Sequence, residues 1–308
     1  MKANSGPFRV AAVQATPVFL DRDATIAKGC ALIAQAGAEG ARIIAFPEVW
    51  VPGYPVWLDE APGAARWNYP PAKAAYARLV ANAVTVPGPE TARLGAAARA
   101  AGAYVVMGVH ELGGGTLYCS LLYFGPDGAL LGVHRKLLPT YQERMLWGQG
   151  DGAGLIVLDT PLGKVGGLCC WEHWMPLARQ ALHERGELIH VAAWPHVHEM
   201  HQVASRSYAF EGRAFVIAPG AILRRRNLPD DLELLRAIPG PPDAWLQRGG
   251  SAIIGPDGAY LAGPVWEEET IVHAEVDPTR AVEERLTLDV AGHYSRPDVF
   301  QFRVNRDE

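Results

Sequence analysis

Three residues in this 308-residue chain stand where side chains can do covalent chemistry. Apolar runs over 42–46, 130–135 and 164–169 read as buried strands. Each stops at a chemically active residue: Glu48 just past Phe46-Pro47, Lys136 after Arg135, and Cys170 after Cys169. A thiol at a strand end, ahead of a helix that Pro176 starts, is held rigid yet reachable, as a cysteine nucleophile must be. A carboxylate can take the thiol proton, and an ammonium can stabilise the negative charge that attack creates. In layered α/β folds the loops at the carboxyl ends of strands converge, so the three can share one pocket. Singly, each has a plainer role: Glu48 as a turn cap, Lys136 as a surface charge, Cys170 as a small buried hydrophobe. Together they favour chemistry over coincidence.

The elements that must position them follow from pattern. A Val-rich strand over 8–15 leads to a helix over 21–39, with Asp21 as N-cap and Gly40 as stop. The proline- and aromatic-rich loop after Phe46 runs to about Pro71 and reads as a pocket wall. Helices are expected over 72–83 and 89–101, and strands over 104–110 and 117–124, the latter turning through Gly125-Pro126-Asp127-Gly128 into 130–135. After a loop over 137–154, a hairpin joins 155–158 to 164–169. Then helices over 177–185 and 199–211 alternate with strands over 188–193 and 215–218. The polar, proline-rich stretch 223–247, with Arg224-Arg225-Arg226 and Asp230-Asp231, reads as a solvated loop. Strands over 251–254, 260–261 and 271–276 surround a second Gly-Pro-Asp-Gly turn at 255–258. The alternation implies one α/β domain with sheets inside and helices outside, and the repeated turn hints at two pseudo-symmetric halves.

Bulk properties exclude several classes. A net charge of −5 and a pI near 6.1 argue against a nucleic-acid or anionic-membrane surface. No apolar run approaches the roughly 20 residues that span a bilayer. The first residues lack a secretory h-region, so a cytoplasmic location is expected. Cysteines at 30, 119, 169 and 170 are too few and scattered for a disulfide framework, and no C-x-x-C pair exists. The tract His196-Val197-His198-Glu199-Met200-His201 resembles a zinc-binding H-E-x-x-H helix only superficially, so structural or pocket-lining histidines are expected and no metal.

The motifs Phe46-Pro47-Glu48, His134-Arg135-Lys136-Leu137-Leu138-Pro139-Thr140 and Cys170-Trp171-Glu172-His173 resemble those of the nitrilase superfamily of carbon–nitrogen hydrolases. Cys-Trp-Glu is similar to the true nitrilase branch. The stretches 141–152, Tyr208 to Gly212 and Gly292 to Asp298 extend the resemblance over essentially the whole chain. It implies a four-layer αββα sandwich with a short C-terminal tail from about residue 287, and a Glu48–Lys136–Cys170 triad. Glu143 matches the family's second glutamate, either orienting Lys136 or assisting as base, with a purely structural salt bridge as the alternative. Tyr54, Trp57, Trp171, Trp194 and Pro195 are the expected substrate walls. The short tail implies a homodimer, or another homo-oligomer, rather than a spiral filament. Cys119 stands where the family usually has asparagine, a departure expected not to touch the triad.

The implied reaction turns a nitrile into a carboxylic acid and ammonia through a thioimidate and a thioester on Cys170, without a cofactor. An amidase of the same fold and a non-catalytic binding or assembly protein are the alternatives. A nitrile carbon is a poor electrophile and needs a soft, strong nucleophile. Moving a thiol proton (pKa ~8.5) to a glutamate (~4.3) is uphill by roughly 6 kcal/mol. Burial of Glu48 and an adjacent Lys136 ammonium are expected to close that gap. Cys169 continues the strand and is expected to face the core, leaving the reaction to Cys170.

Overall fold

The computed structural model describes residues 6–306; residues 1–5, part of the polar lead-in read above as carrying no secretory signal, and residues 307–308 lie outside it. In strand β1 (Phe8–Gln14), Val10 and Ala12 enter a central core while Ala11 and Val13 enter an outer one, the alternation of a strand buried on both faces. Helix α1 (Arg22–Ala38) starts at Asp21, whose carboxylate accepts from the Ala24 N–H. Then come β2 (Ala41–Ala45), α2 (Trp57–Glu60), α3 (Pro70–Ala81), α4 (Pro89–Ala101), β3 (Tyr104–Gly113), β4 (Thr116–Phe124) and β5 (Leu130–Arg135). The second half runs β6 (Val157–Thr160), β7 (Gly163–Cys169), α5 (Pro176–His183), β8 (Ile189–Ala193), α6 (Glu199–Gly212) and β9 (Phe215–Ala218). It continues with β10 (Ile222–Arg224), α7 (Glu233–Arg236), β11 (Trp245–Ile254), β12 (Tyr260–Trp266), β13 (Thr270–Val276) and α8 (Pro278–Glu284).

One sheet has the order β13-β1-β2-β3-β4-β5. The other runs β10-β11-β9-β8-β7-β6, with β12 also on β11. Between the sheets lies a core built from Val10, Ile43, Val106 and Leu121 on one side and Val165, Val191, Ile217 and Ile253 on the other. Ile26, Ile33, Leu94 and Ala98 of α1 and α4 cover the outer face of the first sheet. Ala178, Leu182, Ala204 and Tyr208 of α5 and α6 cover that of the second. The layers are αββα, as expected.

The hint of two halves becomes a structural repeat. β1-β2-β3-β4-β5 and β7-β8-β9-β11-β12 share one pairing pattern, two parallel contacts and then two antiparallel ones. Both Gly-Pro-Asp-Gly turns close alike, with the Asp127 and Asp257 carboxylates each accepting the N–H two residues on. The stretch 223–247 is not the solvated loop expected. Its charges point outward, but Leu232, Leu234, Leu235 and Ile238 are buried in the central core, and β11 begins six residues earlier than its apolar run suggested. A tail from 285 to 306 follows α8 without regular structure, returning Phe302 and Val304 to the second sheet's outer core. Among the described residues no helix is long and apolar enough to cross a membrane.

Candidate active site

Glu48, Lys136 and Cys170 meet at the carboxyl ends of β2, β5 and β7. The loop after β2 crosses β3 where Gly108 removes the obstacle, since a Cβ there would lie 2.1 Å from the Pro47 carbonyl. The Glu48 N–H then donates to the Trp194 carbonyl beyond β8 (3.2 Å), which ties the two sheets' loops together. Lys136 is fixed on both sides, its N–H donating to Cys119 (2.8 Å) and its carbonyl accepting from Gly150 (2.8 Å). Cys170 opens a 3₁₀ turn over Cys170–Trp174 and sits at φ 48°, left-handed for a non-glycine residue. That is the strained elbow the sequence pattern implied.

The Lys136 ammonium donates to Glu48 Oε1 and to Glu143 Oε2, both at 2.7 Å. Glu143 is fixed by two further donors, the Thr140 N–H (2.6 Å) and the Tyr54 hydroxyl (3.0 Å). Carboxylate oxygens of Glu48 and Glu143 and the Cys170 sulfur lie within 4.8 Å of one another. All four side chains are buried. Glu48 Oε2 alone has no partner, which leaves it free to take a proton.

Burial raises the Glu48 carboxyl; Lys136 draws it back and Glu143 lifts it, leaving it at about 7. Burial also works against the Lys136 charge, but Glu48, Cys170 and Glu143 outweigh it and hold the ammonium well above its ordinary value. The Cys170 thiol is pushed well above its ordinary value by burial and by Glu48, against the pull of Lys136 and the Trp171 N–H. Lys136 favours the thiolate, as expected, but burial and Glu48 outweigh it. At rest the proton stays on sulfur, beside a glutamate poised to receive it.

Two further residues hold the site together, and sequence reasoning had assigned them no role. His134 donates from Nε2 to Glu172 Oε2 (2.8 Å) and from Nδ1 to the Gly154 carbonyl (3.0 Å). Both partners accept, so both ring nitrogens carry hydrogen and the ring is an imidazolium. Glu172 raises His134 despite burial, and His134 with two backbone N–H groups lowers Glu172 despite burial. Those groups are the N–H of Leu137 and of Cys169, each next to a reacting residue (2.8 and 2.7 Å). One carboxylate thus straps the lysine segment to the cysteine segment. The only signal in the sequence was the presence of both residues inside the quoted motifs.

Cys119 corrects an expectation: its thiol donates to Glu48 Oε1 at 3.2 Å, so this departure does touch the triad. Cys169, the last residue of β7, faces the central core as expected, and Cys170, the first of the turn, lies on the opposite side. A cavity of about 730 Å³ opens above Cys170, bounded by Tyr54, Trp171 and Pro195 as anticipated. Trp57 and Trp194 do not reach it. Trp57 is packed in the central core, and Trp194 is buried between His173 and His201 with its Nε1 donating to Ser205. His196, His198 and His201 line it too, within the role expected for that tract, while Leu58, Asp59, Leu138, Trp174 and Met175 are lining residues that sequence reasoning did not assign.

Two groups carry donors suited to a metal, Glu48–Glu143–Cys170 and His134–Cys169–Glu172. In the first, the Lys136 ammonium already bridges the carboxylates; in the second, imidazolium and carboxylate satisfy each other. Neither donor set fits a metal ion.

The model of the family described as carbon-nitrogen hydrolase matches residues 9–285. The chain is 42% identical to a protein of Pseudomonas syringae pv. syringae named nitrilase, over 97% of this chain and 90% of that one. It is 42% identical to a Sinorhizobium fredii protein named aliphatic nitrilase, over 97% and 96%. The crystal structure of Saccharomyces cerevisiae Nit3, titled a member of branch 10 of the nitrilase superfamily, shares the fold with a TM-score of 0.73 at 18% identity, over 96% and 99% of the two chains. With strands that deliver a carboxylate, an ammonium and a thiol to one buried point, and with relatives matched along nearly its whole length, this chain belongs to the carbon-nitrogen hydrolase family.

Proposed function

We propose that the chain hydrolyses a nitrile to the carboxylic acid and ammonia, R–C≡N + 2 H₂O → R–COOH + NH₃. The observation that carries this reading is the Lys136 ammonium held 2.7 Å from two buried carboxylates beside the Cys170 thiol. The names of the relatives at 42% identity support it. Glu48 takes the thiol proton at Oε2 as sulfur bonds to the nitrile carbon. The proton passes to the nitrile nitrogen, giving a thioimidate. Lys136 stabilises the charge that builds on nitrogen, and a fixed cation among buried groups does this better than water would. A water deprotonated by Glu48 then adds to the same carbon, its first proton passing to the nitrogen; the hydroxyl proton follows as the carbonyl forms, so ammonia leaves with both and a thioester remains. A second water, activated likewise, releases the acid and restores the thiol.

Glu143 holds Lys136 between its two partners, and Tyr54, Trp171 and Pro195 bound the substrate. Residues 1–308 act as one carbon–nitrogen hydrolase unit, in the cytoplasm, where four free cysteines are at home. A homodimer, or a larger homo-oligomer, fits the exposed Met200, Val203 and Phe210, which share one stripe of α6, and Leu177 on the adjacent α5. The test is ammonia release from aliphatic, aromatic and arylacetonitriles with their matched amides, alongside mass spectrometry of Cys170. A covalent adduct on Cys170 and ammonia from nitriles are expected, both absent in Cys170→Ala. Turnover of amides alone would replace the proposal with an amidase.

A further inference from the structure

Behind the nucleophile, buried side chains of the second sheet and its helices form one hydrogen-bonded row that the proposed reaction does not use. The Cys170 carbonyl meets His173 Nδ1 at 2.6 Å, and His173 Nε2 meets His190 Nε2 at 2.9 Å. His190 Nδ1 meets Glu187 Oε1 at 2.9 Å, and the Tyr208 hydroxyl donates to Glu187 Oε2 at 2.5 Å. Tyr208 also stacks on His190, with ring centroids 3.7 Å apart. None of these four side chains reaches solvent.

The direction of every proton follows from one end. A carbonyl oxygen only accepts, so His173 Nδ1 carries hydrogen. A neutral His173 then accepts at Nε2, which makes His190 Nε2 the donor and His190 Nδ1 an acceptor. Only a protonated Glu187 can donate to that nitrogen while its other oxygen accepts from Tyr208. Burial acts in the same sense throughout, pushing His173 down to about 3 and His190 well below its ordinary value, and Glu187 up to about 8. The row is neutral, and each of its hydrogen bonds pairs one donor with one acceptor.

We infer that Glu187, as a carboxylic acid acting through His190 and His173, is a positioning residue that fixes the Cys170 carbonyl and so the elbow that aims the thiol. The inference rests on Cys170 as the nucleophile. A non-glycine residue at φ 48° keeps that conformation only where its surroundings over-determine it, and the peptide carbonyl of Cys170 is one of few handles available. His173 also stacks on Trp194 (4.7 Å), whose carbonyl holds the Glu48 N–H, so the row braces nucleophile and base together.

The test compares Glu187→Gln, whose amide can donate to His190 and accept from Tyr208, with Glu187→Leu, which can do neither. In the full-length protein, Glu187→Leu should lower kcat about tenfold or more and slow alkylation of Cys170 by iodoacetamide as much, with KM within about threefold. Glu187→Gln should restore both rates to within about threefold of the parent. His190→Asn, which cuts the row nearer to Cys170, should repeat the loss and replaces Glu187→Leu if that variant does not fold. A folded Glu187→Leu with parental rates overturns the inference, as does a Glu187→Gln variant as slow as Glu187→Leu. Alkylation needs no nitrile, so a failure of the proposed function is seen separately.

Discussion

Replacing Glu143 with glutamine tests how the site sets its own pH dependence. Glu143 and Glu48 offer oxygens within 4.8 Å of each other, and Glu143 helps hold the Glu48 carboxyl up at about 7. At an effective dielectric of about 20, two like charges at that distance repel by about 3.5 kcal/mol, which is worth about 2.5 pH units. Glutamine is nearly isosteric; with its oxygen turned towards Lys136 and the Thr140 N–H, its amide meets the Tyr54 hydroxyl, which can accept. The base works only when unprotonated, so lowering its pKa extends activity to lower pH. The acid limb of kcat/KM should therefore fall from near 7 to about 4.5–5 in Glu143→Gln. The plateau should drop about tenfold to a hundredfold, because an ion pair with Lys136 becomes a hydrogen bond from the ammonium to a neutral amide oxygen, a loss of roughly 1.5–3 kcal/mol. Stopped-point ammonia assays from pH 4.5 to 9 read both quantities. Glu48→Gln should lose turnover altogether. An acid limb that stays at 7 or rises in Glu143→Gln would refute the electrostatic argument, and a loss as complete as in Glu48→Gln would make Glu143 the base.

Cys119→Ala removes a donor that lowers Glu48, so the acid limb should move up by less than about one pH unit, the reach of a weak hydrogen bond. Cys169→Ala should keep most activity and lose about 1 kcal/mol of stability in chemical denaturation, whereas Cys170→Ala should release no ammonia. Removing the strap's charge partner with His134→Gln leaves the Glu172 carboxylate buried and should cost about 3–5 kcal/mol near pH 5–6, read as Tm against pH. Glu172 is lowered from 4.5, so its contribution is present above that pH and is lost as pH falls through the lower folded value. His134 is raised from 6.5, so its contribution is complete below 6.5 and is lost as pH rises through the higher folded value. The stability gap between parent and variant should therefore narrow at both ends.

The triad was legible because strand periodicity reports where a buried run stops, and Glu48, Lys136 and Cys170 are where three such runs stop. Cys169 and Cys170 were separable for the same reason, since the buried run ends with the first and the turn begins with the second. Residues whose roles depend on partners far along the chain were not legible. Glu172 bonds Leu137 and His134, and Cys119 bonds Glu48, across 35, 38 and 71 positions that carry no local pattern. Trp57 and Trp194 look like pocket aromatics by composition, but a tryptophan fits a core as well as a wall, and here packing decided. In 223–247 five buried aliphatics are interleaved with prolines and charges, so no period of 2 or 3.6 emerges.

Placing β1 between β2 and β13 has a consequence for how the protein is made. Gln14, at the end of β1, accepts from the Ser251 N–H and donates to the Glu268 carbonyl, and the first of these contacts spans 237 positions. A ribosome adding about 5–20 residues per second needs roughly 10–50 s to deliver that partner. Until then β1 has a bare edge beside the strand that leads to Glu48, of the kind that recruits other nascent chains. Closure over such sequence distances is slow even once synthesis ends. Expression at low temperature or with added holdase chaperones should therefore raise the soluble yield more than any stabilisation of the finished site.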